Sequence, residues 1–160
     1  MEAASLRICV QEADFDLGLE SARLRELAGG TGALCSFVGV VRPMEGENTA
    51  SDLQALEIEH YPAMTAAAIE TICENAGARW PLLGVTVIHR IGRLAVGEQI
   101  VLVLVAAEHR EAAFNGCECV MDYLKTRAPF WKKALFDDSG YWVEARQSDR
   151  QREQRWGEES

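Results

Sequence analysis

The sequence predicts a single α+β domain. Short Val-, Ile- and Leu-rich segments of strand length recur along it, helical stretches with apolar residues three and four apart lie between them, and Gly and Pro mark the junctions. At 160 residues, 48% of them apolar and 26% charged, the chain suits one soluble domain, residues 1–160, with a proper core.

The elements follow in order. "LRICV" (Leu6–Val10) reads as a strand, and Asp14 or Asp16 caps a helix running to about Ala28 with Leu17, Leu24 and Leu27 among its apolar positions. Gly29, Gly30 and Gly32 break that helix, and "ALCSFVGVV" forms a strand ending at Arg42. Residues 43–52 are polar, contain Pro and Gly and lack periodicity, so they read as a flexible loop. "LQALEIEHY" alternates Leu56, Ile58 and His60 against Glu57, Glu59 and Tyr61. Pro62 suits the first position of a helix whose inner face is Met64, Ala68, Ile69, Ile72 and Ala76. "GVTVIHRIG" and "QIVLVLVAAE" are strands around the turn or short bridge "LAVGE". A helix spans Arg110 to Arg127 with Phe114, Cys117, Met121 and Leu124 as its stripe, and Pro129 ends it. "FWKKALF", "DDSG" and "YWVEA" make a hairpin, and residues 147–160 form a charged C-terminal tail with a short helical tendency.

Composition excludes several function classes. A net charge of −9 and a pI near 4.8 speak against a general nucleic-acid binder, which needs a basic face. No apolar run approaches the roughly 20 residues that span a bilayer. The N-terminus lacks a basic region followed by an apolar core, so the expected compartment is the cytoplasm. Cys9, Cys35, Cys73, Cys117 and Cys119 have no framework spacing and read as reduced, mostly buried thiols. His60, His89 and His109 lack metal-ligand spacing, so no metal is expected. His60 and His89 read as satisfied interior histidines.

Against the acidic background, "MDYLKTRAPFWKK" (Met121–Lys133) gathers Lys125, Arg127, Lys132 and Lys133 against one acid, Asp122. Pro129 lets the chain turn back so that Lys125 and Lys132 point into one pocket. Two ammonium groups there repel, and burial adds a desolvation cost, so a lysine pKa falls and acid–base chemistry opens. The competing reading is cations that merely stabilise a helix C-terminus. "AEHREAAF" tips the choice. His109 and Arg110 sit where a helix begins, beside unpaired N–H groups that favour an anion, and arginine there does nothing for the helix itself. Arg42 and Arg146 close strands, and Phe37, on the strand leading to Arg42, reads as core from its position while remaining a substrate-side candidate.

"LEIEHYPAM", "VTVIHRIGRLAVGE", "AEHREAAF", "MDYLKTRAPFWKK" and "WVEARQSD" resemble, in order, the catalytic (large) subunit family of molybdopterin synthase. The resemblance implies an α/β hammerhead fold with a mixed or antiparallel sheet, and a homodimer within a heterotetramer. It implies a small ubiquitin-like sulfur carrier with a C-terminal glycine thiocarboxylate, and transfer of two sulfurs onto cyclic pyranopterin monophosphate to give molybdopterin. No cofactor is implied. By position, Lys125 and Lys132 match the essential lysines, and His109, Arg110 and Arg42 match groups that bind pterin and phosphate. Lys133 falls in the basic rim, and Arg146 matches an arginine assigned to the neighbouring subunit's pocket. Val40 and Ala134 depart from the family, which often has a lysine and an acid there.

Two rival classes remain. Another acyl or phosphoryl transferase would need a nucleophile elbow or a phosphate loop, and neither G-x-S-x-G nor G-x-x-x-x-G-K-[ST] occurs. A non-catalytic module that binds a ubiquitin-like tail or a small phosphorylated ligand wants the same cations. The sequence does not say which lysine transfers protons, nor the order of the sulfur transfers.

Overall fold

The computed structural model describes residues 3–44, 52–137, 139–144 and 146–157. It has two four-stranded sheets and four helices. Strands β1 (Ser5–Gln11), β2 (Ala33–Val40), β4 (Leu82–Arg90) and β6 (Gln99–Ala107) form the first sheet in the order β1-β4-β6-β2. β1 and β4 run parallel; β4–β6 and β6–β2 are antiparallel. The second sheet, wholly antiparallel, is ordered β5-β3-β7-β8 from β3 (Ala55–His60), β5 (Gly92–Ala95), β7 (Phe130–Leu135) and β8 (Gly140–Val143).

Helices α2 (Pro62–Arg79) and α3 (Arg110–Arg127) cover one face of the first sheet, burying Ile69, Ile72, Cys73, Ala113, Cys117 and Val120 against Val85, Val87, Val103 and Val105. Helix α1 (Leu17–Leu27) covers the other face through Leu24, against Ile88, Leu102 and Leu104. β4 and β6 are therefore buried on both sides, which is why they read as nearly continuous apolar runs. Asp16 caps α1, accepting from the Leu19 N–H at 2.8 Å, and Pro62 opens α2 as expected.

Three expected apolar positions face solvent instead. Leu27, Met64 and Phe114 are exposed, and α2 buries Thr65 and Cys73 alongside Ile69, Ile72 and Ala76. The Ala66–Ala68 run gives α2 little apolar contrast between faces, so spacing alone misjudged its rotation by about one residue. Residues 45–51 of the expected loop lie outside the described residues.

The tail is a helix, α4 (Gln147–Gly157), anchored on α3. Trp156 is buried, donates from Nε1 to Asp122 at 2.8 Å and meets Trp80 edge-on. Arg155 also donates to Asp122 (3.1 Å), and Arg127 pairs with Glu153. These links bring the start of α4 to the C-terminal end of α3.

Candidate active site

Where α3 ends, the chain enters β7 through Ala128 and Pro129. A cavity of about 450 Å3 opens there, a size suited to a small-molecule ligand. Its cations are Arg42, Lys125, Lys132 and Arg146; its acceptors are Glu144, Asp149 and His89. Phe37, Leu56, Ile100, Val101, Leu124 and Phe130 supply apolar wall. β2 reaches it by a bulge at Gly39/Val40, where a Cβ on Gly39 would stand 2.8 Å from Val101 Cγ1. Glycine lets the strand bend and deliver Arg42.

Alternation along β7 assigns the lysines. Phe130, Lys132 and Ala134 share one face, and Lys132 lies opposite Ile58 of β3 and Val143 of β8. Lys133 points the other way, its Nζ 5.8 Å from the Trp142 ring centroid, and takes no part in the cavity. Lys133, expected in a basic rim, is thus not among the residues lining this cavity, because adjacent residues on a strand face opposite sides.

Burial, together with the neighbouring Lys125 ammonium, pushes Lys132 down to about 8, while Asp149 pulls the other way. That lysine therefore titrates near neutral pH. Asp149 accepts from the Arg146 N–H (3.3 Å), and Arg146 O accepts from the Asp149 N–H (3.0 Å), a reciprocal cap at the start of α4.

The His109–Arg110 pair does not join this group. Both are exposed, and His109 Nε2 lies 3.5 Å from Glu108 Oε1. They stand at the N-terminal end of α3, and fifteen residues of helix separate Arg110 from Lys125, roughly 22 Å. No side chain bridges that span within one chain. Arg146, matched in sequence to the neighbour's pocket, lines the cavity of its own chain. Phe37 is 40% exposed and lines the same cavity, so it is wall rather than core.

The chain matches the family model described as "MoaE protein" over residues 10–127. The chain belongs to the MoaE protein family. It is 49% identical over 150 residues to the molybdopterin synthase catalytic subunit of Vibrio cholerae, covering 94% of this chain and 97% of that one. Among solved structures it resembles the molybdopterin biosynthesis MoaE protein of Burkholderia ambifaria (48% identity, TM-score 0.78, 98% and 99% of the two chains). It also resembles molybdopterin synthase from Staphylococcus aureus (25% identity, TM-score 0.71, 90% and 98%). The fold and enzyme class expected from the motifs are those of these relatives, molybdopterin synthase catalytic subunits.

In this MoaE chain the cavity acceptors Glu144, Asp149 and His89 escaped the sequence reading. Asp149 sits in a tail that reads as solvated charge; the signal was its spacing of three from Arg146 at a helix start. His89 sits on a strand whose other inward residues are valines, and only its neighbours reveal that it faces a cavity. None of the five cysteines lines the site. Burial raises the thiol pKa of Cys73 to about 12 and of Cys119 to about 11, and raises Cys117 further, so these stay protonated and unreactive. Among the described residues no group of metal-ligating side chains occurs, and no helix is long and apolar enough to cross a membrane.

Proposed function

We propose that this cavity is the sulfur-transfer site of a cytoplasmic molybdopterin synthase, with Lys125 and Lys132 as its catalytic residues. The observation that carries the reading is the half-buried Lys132, titrating near 8 beside Lys125 in a cavity that also holds Arg42 and Arg146. Such a site suits two anions that must meet: the thiocarboxylate at a carrier's C-terminus and the phosphate of cyclic pyranopterin monophosphate. The carrier is a small ubiquitin-like subunit whose last glycine enters the cavity.

In each transfer the thiocarboxylate sulfur attacks a substrate carbon and displaces the oxygen bonded there, as water from the carbonyl-level carbon and as a phosphate-ester oxygen, with opening of the cyclic phosphate, from its neighbour. Water then cleaves the resulting thioester, leaving a carboxylate on the carrier and a thiolate on the substrate. Two carriers supply the two sulfurs. Lys125 and Lys132 screen the paired anions, and Lys132, with its pKa near neutrality, can also pass a proton to the departing oxygen. Arg42 and Arg146 grip phosphate. Phe37 supports the pterin ring as apolar wall.

His109 and Arg110 enter only through a second chain. The distance along α3 supports this, as does β2, a sheet edge with Leu34, Phe37 and Val40 exposed. In a symmetric dimer each pair would serve the other chain's cavity. The test is incubation with a thiocarboxylated carrier and cyclic pyranopterin monophosphate, scoring dithiolene. Product is the expected result. Stable complex formation without product would instead support a non-catalytic binding module.

A further inference from the structure

His89 is 6% exposed, on the central strand β4, and lines the cavity beside Lys132 and Lys125. Its ring lies flat on Phe130, centroids 3.7 Å apart and planes 14° off parallel, and His60 stacks on the same phenyl ring at 6.3 Å. Nδ1 lies 2.8 Å from the Arg90 carbonyl oxygen. A carbonyl only accepts, so Nδ1 carries the hydrogen, and Nε2 is left with a lone pair. The strand behind it is rigid: Arg90 donates to Glu12 O from Nε (3.0 Å) and Nη2 (2.9 Å), and to Gln99 O from Nη1 (3.0 Å). Among the described residues no hydrogen bond joins Nε2 to either lysine, and His60 Nδ1 is the buried side-chain polar atom without a partner. His89 lines the cavity, so its Nε2 lone pair is available to a ligand there.

We propose that His89 is a specificity residue for the substrate, its Nε2 accepting a hydrogen bond from a ring N–H of the pyranopterin. The proposal rests on the sulfur-transfer reading for the identity of that heterocycle. Its logic is one of charge. The cavity's cations attract phosphate and thiocarboxylate, but a nitrogen heterocycle also presents N–H donors that need acceptors. A carboxylate in the deep wall would cancel the attraction for the anions. A neutral imidazole offers a lone pair without negative charge, and burial keeps it neutral by pushing its pKa down to about 3. The carboxylates Glu144 and Asp149 come instead from the segment just after β8 and from α4.

The test compares His89→Phe, which keeps the stack and removes the acceptor, with His89→Gln, whose amide oxygen reaches near the Nε2 position. Direct binding of cyclic pyranopterin monophosphate, without carrier, is measured by calorimetry. The expected result is a Kd raised roughly 10- to 100-fold in His89→Phe, as for a donor left unpaired, and largely restored in His89→Gln. In turnover, KM for the pterin should rise with kcat within about threefold, and KM for the carrier should not move. Wild-type-like pterin affinity in a folded His89→Phe protein would overturn the proposal, as would wild-type protein that does not bind the pterin. Nitrogen NMR of wild-type His89 should show the neutral Nδ1–H tautomer between pH 5 and 8; an Nε2–H tautomer would sink it even if neither variant folds. Wild type that binds pterin yet makes no dithiolene would overturn the sulfur-transfer reading alone, and the His89→Phe affinity would still decide this one.

Discussion

The two ends of α3 carry similar chemistry in different surroundings. At its C-terminus Lys125 joins Lys132, Arg42 and Arg146 around a walled cavity; at its N-terminus His109 and Arg110 stand in solvent. Both look like anion sites in sequence. Charge alone does not distinguish them, because an exposed cation is screened within about 10 Å at moderate salt. Enclosure does, since it desolvates Lys132 and shifts its pKa. The difference is one of enclosure: one end is walled by its own chain, and on the proposed reading the other meets a wall only in a second chain.

The largest test of this contrast is Lys132→Ala, expected to lower kcat by roughly 10³-fold while leaving the melting temperature unchanged or higher, since a half-buried ammonium costs stability. Near-normal turnover would return Lys132 to a structural role. Subunit mixing sharpens the comparison next. A chain with Arg110→Ala mixed with one carrying Lys132→Ala should regain activity towards half of wild type per heterodimer, because both defects fall in one shared site. Arg146→Ala mixed with Lys125→Ala should not recover, since each heterodimer site then lacks one cation of its own chain. The reverse pattern, read with exchange verified by mass, would put Arg146 in the partner's site.

Stability separates the ends as well. Trp156→Ala should cost about 3 kcal/mol or more by chemical denaturation, as for a buried aromatic truncation, and weaken pterin binding by releasing the start of α4. Phe114→Ala, at the open end of α3, should cost under about 0.5 kcal/mol in dilute monomer.

Proton linkage gives two smaller signals. His89 has a folded pKa below its unfolded value, so between pH 6.5 and about 3 the unfolded chain binds the extra proton and stability falls with acid. A folded His89→Phe protein should lose stability less steeply over that window. Lys132 is also depressed, but its penalty is present below about pH 8 and is relieved as pH rises towards 10.5. If the ammonium form works, activity falls as pH rises through about 8. Asp149→Asn, which removes the charge that holds that pKa up, should move this limb to lower pH by less than a unit. An unmoved limb would mean Asp149 only caps α4.

Much of the architecture was legible in the chain itself. Strand alternation, the helix from Arg110 to Arg127, Pro62 at a helix start and the break at Pro129 are set by backbone chemistry within a few residues, so local sequence was enough to establish them. The pairing of Lys125 with Lys132 was legible for the same reason: a proline turn between them brings helix end and strand together. The positions of Leu27, Met64 and Phe114 were not, because which stripe of a helix is buried depends on the sheet it meets. Lys133 and Lys132 are adjacent and identical in type, and only pairing with β3 and β8 decided which one faces the cavity. His89 and Asp149 became site residues when β4 and a tail pinned by Trp156 met there, distant in sequence and close in space. Enclosure, and the pKa shifts it causes, is a property of many chain segments converging, and no single segment encodes it.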